Sequence, residues 1–176
     1  MDKFFTGLGI SLILFGSYLV YKRNNPNRIA FAKSEPEIID NKTKNLSDPI
    51  IINISSVAVH LPIFFSEIKN NQWEVTDNGV SYLKSSVIPG EVGNSIMYGH
   101  NWNNILGNLI KVKTGEKIEI LFEDGSKKEF IITLIQEVKP HDVSILNNTI
   151  DSRITIYTCS GFLDSKRFVV TAILAD

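Results

Sequence analysis

Cysteine is nearly absent from this chain: Cys159 is the single one in 176 residues. One thiol excludes an intramolecular disulfide and a cysteine-rich zinc site. A surplus of charge is missing as well. The 18 Lys+Arg and 19 Asp+Glu leave a net charge of −1, which supplies no basic field for nucleic acid. Internal repeats and low-complexity tracts are also lacking. What is present, 43% hydrophobic and 21% charged residues, is too apolar for a disordered chain and too polar for a polytopic membrane protein. About 120 residues suffice for a core that buries roughly two-thirds of the chain's surface, so folding requires no metal or cross-link.

The one long apolar run lies at the N-terminus. Phe4 to Tyr21 carries no charge, ends in Tyr18 and Tyr21, and is followed by Lys22 and Arg23. As a helix it spans about 27 Å, close to the hydrocarbon thickness of a bilayer. A buried soluble helix would show a polar face, and this run has none. A cleaved signal peptide would need small residues soon after the apolar stretch. Ala30-Phe31-Ala32 has that chemistry but lies beyond Lys22, Arg23 and Arg28. The reading adopted is an uncleaved single-pass anchor over residues 1–21. The flanking charges alone, Lys3 before the span against Lys22, Arg23 and Arg28 after it, would leave the body of the protein in the cytoplasm.

Residues 22–48 hold Pro26, Pro36 and several Asn and Lys without apolar periodicity, and read as a stalk. From Pro49 to Asp176 the pattern is β. Ile50–Ile54 is β-branched. Val57, Val59 and Leu61 alternate, with Pro62 expected to close that strand. Ser95–Tyr98, Ile118–Phe122, Phe130–Val138, Ile154–Tyr157 and Phe168–Leu174 follow, and Asp124-Gly125 offers a hairpin turn. Weak helical signals lie at Val80–Leu83, Asn103–Leu109 and Asp142–Leu146. Seven or eight short strands with few helices predict a closed barrel or a sandwich.

Cys159 ends the apolar run Ile154–Thr158, just before Ser160-Gly161. A lone cysteine is commonly an inert buried thiol, but a strand end delivers a side chain to the surface on rigid support. A nucleophilic thiol needs a base or a cation beside it. Of the three histidines, His60 lies in an alternating strand and His141 in a loop after Pro140. His100 follows the short strand ending Met97-Tyr98-Gly99, with Asn101 next to it. Arg167 opens the last strand. The Ser160–Lys166 segment fits a hairpin loop that would bring the Arg167 guanidinium beside the Cys159 sulfur, where a multi-donor cation suits an oxyanion.

Thr155-Ile156-Tyr157-Thr158-Cys159 resembles the signature of the sortase family of cysteine transpeptidases: Thr, an aliphatic residue, any residue, Thr, Cys. Pro89–His100 is similar to the stretch leading to that family's catalytic His, and Arg167 falls where its Arg follows. Transpeptidases of the L,D type place Gly before the Cys, whereas here Gly161 comes after it. The resemblance covers roughly Pro49–Asp176. It implies an eight-stranded β-barrel with a few short helices, behind an N-terminal transmembrane helix and outside the cytoplasm. It implies Cys159 as nucleophile, His100 as acid/base, Arg167 as oxyanion stabiliser and Thr158 against the scissile residue. The implied reaction cleaves a sorting signal such as Leu-Pro-x-Thr-Gly in a surface protein. It forms a thioester and transfers the acyl group to an amine, from a cell-wall precursor or a pilin lysine. An inactive membrane-tethered binding module and a purely hydrolytic cysteine peptidase stand as alternatives.

Specificity is expected in the Val138–Arg153 segment. Trp73 and Trp102 read as packing residues, the latter near enough to His100 to wall the site. Glu91, Asp142 and Asp151 are scattered single acids. No metal and no cofactor is expected.

Overall fold

A computed structural model of the chain describes residues 2–23, 26–31, 47–69 and 72–175. Most of the segment read as a stalk, including Ala32, lies outside them. Helix α1 (Asp2–Arg23) contains the apolar run. Its Phe4–Lys22 stretch has a mean hydropathy of 1.7 with none of it buried, so it is long and apolar enough to cross a membrane.

Among the described residues ten strands follow: β1 (Pro49–Ile54), β2 (Val59–Ser66), β3 (Ile68–Lys69), β4 (Gln72–Trp73), β5 (Val80–Leu83), β6 (Gly93–Tyr98), β7 (Lys117–Phe122), β8 (Lys127–Val138), β9 (Ser152–Ser160) and β10 (Lys166–Leu174). Eight of them close into a barrel in the order β1-β2-β5-β6-β9-β10-β8-β7, and β7 returns to β1. Strands β3 and β4 form a separate two-stranded ribbon. Most neighbours are antiparallel, while β2–β5 and β6–β9 are parallel. The Asp124-Gly125 hairpin joins β7 to β8, with Gly125 at φ +82° and the Asp124 carboxylate accepting from Ser126 N–H.

Two expectations yield to tertiary context. Val80–Leu83 is a strand and not a helix. All four residues are buried between β2 and β6, and a short fully buried run has no periodicity that tells the two apart. Pro62 does not close β2. It is the last β2 residue paired with β1, and Ile63 is the first paired with β5. At that changeover the missing proline N–H costs no rung. The other two helical signals are short 3-10 turns, Gly107–Lys111 and Val143–Leu146.

The period-two alternation of the strands divides the apolar residues into two clusters. Ile52, Ile118, Phe130, Ile132, Ile154, Ile156 and Val170 fill the barrel. On the outer wall, Ile96 and Tyr98 of β6, Tyr157 and Cys159 of β9, and Val169 of β10 form a second cluster covered by Trp73. Strand β9 is therefore buried on both faces, as a strand flanked by a parallel neighbour and covered outside tends to be. The same outer cluster contains Ile29 and Phe31. Residues 26–31 thus lie against the barrel, although they fall in the segment whose composition reads as a spacer. Two large apolar side chains among polar neighbours are too few to produce a periodic signal.

Candidate active site

Strands β9 and β10 pair antiparallel with Arg167 directly opposite Cys159. Cross-strand partners have Cβ atoms about 5 Å apart, so the hairpin alone brings sulfur and guanidinium onto one patch of the outer wall. Parallel pairing supplies the third group. Tyr98 of β6 is in register with Tyr157, and the Gly99 N–H continues the ladder to the Tyr157 carbonyl at 3.3 Å. The chain then turns at His100, two residues past Tyr98, as Cys159 is two past Tyr157. Thr158 braces that turn: its hydroxyl donates to the Gly99 carbonyl at 2.7 Å. Alternation puts it on the opposite side of β9 from Cys159, and it is fully buried, so it supports the His100 turn and does not line the cleft.

All three groups are covered: Cys159 is 1% exposed, Arg167 3% and His100 5%. The covering layer is the N-terminal segment. Arg167 donates through Nη2 to the carbonyls of Arg28 (2.5 Å) and Ala30 (2.8 Å), and through Nε to that of Ile29 (3.2 Å). Its Nη1 donates to the carbonyls of Asp164 (3.0 Å) and Lys166 (2.9 Å). A guanidinium has five N–H donors, and each is matched to a backbone oxygen. The Cys159 thiol donates to the Arg28 carbonyl at 3.5 Å. One peptide oxygen of the chain therefore faces both the sulfur and the guanidinium. Phe31 packs edge-on against Tyr157 with ring centres 4.9 Å apart and lies 5.8 Å from the Arg167 guanidinium carbon. Arg28 is clamped at the cleft's edge. It forms an ion pair with Asp164 (3.1 Å) and donates to Asn101 Oδ1 (2.9 Å). A cleft of about 670 Å³ opens there, lined among others by Trp102, Asn104 and Leu163.

Burial pushes the Cys159 thiol above its ordinary value. The positive charge of Arg167 opposes that shift, Asp164 adds to it, and Arg28 works against it. Burial likewise pushes the His100 imidazole below its ordinary value. Asp77 opposes that shift, Arg28 adds to it, and Asp164 opposes it. The thiol and the imidazole are thus driven apart, toward the neutral pair.

The remaining expected residues have other surroundings. His60 on β2 and His141 beyond β8 are exposed and lie outside the site. Trp73 packs edge-on to Tyr98 at 5.2 Å, whereas Trp102 stacks on His100 with ring centres 4.3 Å apart and planes 10° from parallel. The segment before β9 is tied to β6. Asn94 donates through Nδ2 to the carbonyls of Ile145 (3.0 Å) and Asn147 (3.1 Å), and Leu146 joins the outer cluster. Gly93 (φ +133°) makes that approach possible, because a Cβ there would lie 2.5 Å from Asn148 Oδ1. Asp151 pairs with Arg153 and Asp142 accepts from Ser144, so both acids have protein partners. Among the described residues no group of three or more His, Cys, Asp or Glu is arranged to hold a metal. Sequence reasoning missed Arg28, Ile29, Phe31 and Asp77, none of which carries a local motif.

Comparisons with known proteins agree with this fold. The model of the sortase domain matches residues 52–175. Over 127 residues the chain is 29% identical to sortase A of Bacillus anthracis, covering 70% of this chain and 58% of the relative. It is 31% identical over 127 residues to sortase A of Listeria monocytogenes, covering 70% of this chain and 54% of that relative. The chain thus spans somewhat over half the length of these relatives. Among solved structures, a Clostridium perfringens sortase D5 transpeptidase superposes with a TM-score of 0.63 at 26% identity, covering 76% of this chain and 83% of that one. A matched domain that runs from within β1 to the end of β10 and contains the Cys–Arg hairpin, together with these relatives, places the chain in the sortase family.

Proposed function

We propose that this chain is a membrane-tethered cysteine transpeptidase that cleaves a sorting signal of the Leu-Pro-x-Thr-Gly kind and passes the acyl group to an amine. One observation carries this reading. The site already holds a peptide carbonyl, that of Arg28, between the Cys159 thiol and the Arg167 guanidinium. A substrate carbonyl in that place would meet a nucleophile on one side and an oxyanion donor on the other.

In this mechanism the Cys159 thiolate attacks the scissile carbonyl carbon, and Arg167 Nη2 holds the oxygen as charge develops. His100 gives its proton to the leaving amine. The tetrahedral intermediate collapses to a thioester on Cys159. An incoming amine, deprotonated by His100, attacks that thioester and releases the sulfur. Ordinary thiols and imidazoles at pH 7 are about 3% thiolate and about a quarter protonated, so thiolate with imidazolium is under ~1% of molecules. The shifts described above reduce it further, which supports a slow enzyme working through a minor protonation state. Arg167 has no donor left for a substrate, so turnover also requires residues 28–31 to leave the groove.

The substrate class argues for a barrel on the outer side of the membrane with α1 as tether, against the count of flanking charges. No observation in the site favours a binding module or a purely hydrolytic peptidase. The full chain in detergent micelles, incubated with sorting-type peptides and amine acceptors and read by mass, tests the reading. The expected product is the peptide's acyl part joined to the amine. Absence of that product, or its formation by Cys159→Ala, overturns the proposal.

A further inference from the structure

Asp77 stands outside the three groups on which the mechanism draws. It lies in the bend between β4 and β5, and its Oδ1 is 3.0 Å from His100 Nε2. The carboxylate is 69% exposed while the imidazole is nearly covered, so the acid reaches in from the solvent side. The bend is held in place. Thr76 N–H donates to Ser81 Oγ at 3.0 Å, and Asn78 N–H donates to Thr76 Oγ1 at 3.2 Å. Gly79 sits so close to β2 that a Cβ there would lie 2.3 Å from the Pro62 carbonyl oxygen. Ser81 belongs to β5, two strands from β9, so Asp77 is mounted on the barrel wall that carries the site.

The geometry points to Asp77 as the positioning residue of His100: its carboxylate accepts the Nε2 proton and leaves Nδ1 as the nitrogen that exchanges protons in the reaction. The inference rests on the proposed transpeptidase reading. A carboxylate is only an acceptor, so this contact fixes the neutral ring as the Nε2–H tautomer. His100 Nδ1 is buried and has no hydrogen-bond partner among the described residues. That is what a nitrogen awaiting a proton from a thiol, or holding one for an amine, would show. Trp102, stacked nearly parallel on the ring, fixes its plane. The charged groups facing His100 come from three elements: Asp77 from the β4–β5 bend, Arg28 from the N-terminal segment, and Asp164 from the β9–β10 loop. Arg28 leaves with the segment when the groove opens. Asp77 belongs to the barrel and stays. The imidazolium formed during turnover therefore keeps a carboxylate partner in the open state.

The test compares Asp77→Asn, Asp77→Glu and Asp77→Ala in the full chain in detergent micelles. With a sorting peptide, Asp77→Asn is expected to lose about tenfold in kcat with KM within twofold. The loss is smaller than for a buried acid behind a histidine because solvent screens this one. The acid limb of kcat/KM should move to lower pH, since the carboxylate favours the protonated ring. Asp77→Glu should recover most of the rate. An independent arm reads the ring itself by nuclear magnetic resonance of labelled histidine, with exposed His60 and His141 as controls. Wild type should show the Nε2–H tautomer. Asp77→Asn should keep it but titrate lower, and Asp77→Ala should show a mixture. Unchanged His100 titration in Asp77→Asn together with an unchanged tautomer in Asp77→Ala overturns the inference. If no peptide is turned over, the transpeptidase reading fails while the resonance arm still decides the pair.

Discussion

The barrel and the segment over it meet at one apolar cluster, yet they are held by different forces. In the barrel, strand backbones satisfy one another around a closed ring, and the interior is filled by side chains such as Phe130, Ile132 and Ile156. In the segment, the carbonyls of Arg28, Ile29 and Ala30 are satisfied by one side chain, Arg167, and the apolar hold is Ile29 and Phe31. Losing one rung of a barrel leaves a closed scaffold. Losing Arg167 or the two anchors removes a large share of what keeps the segment down and leaves the contacts of Arg28 with Asp164 and Asn101. On the proposed reading the chemistry is built on the barrel, and access to it is governed by the segment docked over it.

The largest effect should come from Cys159→Ala, which removes the proposed nucleophile while leaving both regions folded. Acyl transfer should fall at least about a thousandfold, to background, and appreciable turnover would detach the sulfur from the chemistry. Phe130→Ala next isolates the barrel. Deleting a fully buried ring should cost about 3–5 kcal/mol and lower the midpoint of thermal unfolding by roughly 10 °C. A calorimetric scan with no such shift would contradict the packing described. Arg167→Lys divides the two regions within one residue. A lone ammonium cannot reproduce the planar fork, so kcat/KM should drop about a hundredfold. The same change frees the segment, so the Cys159 thiol should be alkylated faster. Turnover and alkylation moving in the same direction would break the comparison.

How much of this was legible in the sequence depends on how local each relation is. The Cys159–Arg167 pair was legible because one short hairpin joins the two positions, and antiparallel register does the rest. His100 was a candidate only through its context after a short strand and a family motif, since β6, the strand that leads to it, pairs with β9, far away in the chain. Alternation and turn residues narrowed the fold to a closed barrel or a sandwich, and the family resemblance implied the barrel; β5 was not legible, because a strand buried on both faces has no alternation to read. Asp77 was silent. A single acid in a polar bend is indistinguishable from a solvated one until the fold brings an imidazole to 3.0 Å. The segment was silent for a related reason: its anchors, Ile29 and Phe31, sit in a stretch whose Pro and Asn content describes a linker, and the arginine that captures it lies more than 130 residues away.

Two smaller effects sharpen the comparison. Replacing both anchors, Ile29→Ala with Phe31→Ala, should weaken docking by enough to raise the rate of Cys159 alkylation about tenfold or more. The barrel's unfolding midpoint should barely move. A fall like that of Phe130→Ala would mean that the segment belongs to the scaffold after all. The smallest effect is on the pH dependence of that alkylation. Burial under the segment raises the thiol's pKa, so the docked state favours the protonated sulfur. Docking is therefore strongest below the ordinary thiol value. It weakens as pH rises from there through the raised value, because each deprotonation then costs contact. In the native chain the alkylation profile should lie to higher pH than that of an ordinary thiol, and in the double variant it should slide back down toward one. Coincident profiles in the two proteins would show that the barrel wall alone, without the segment, sets the state of the sulfur.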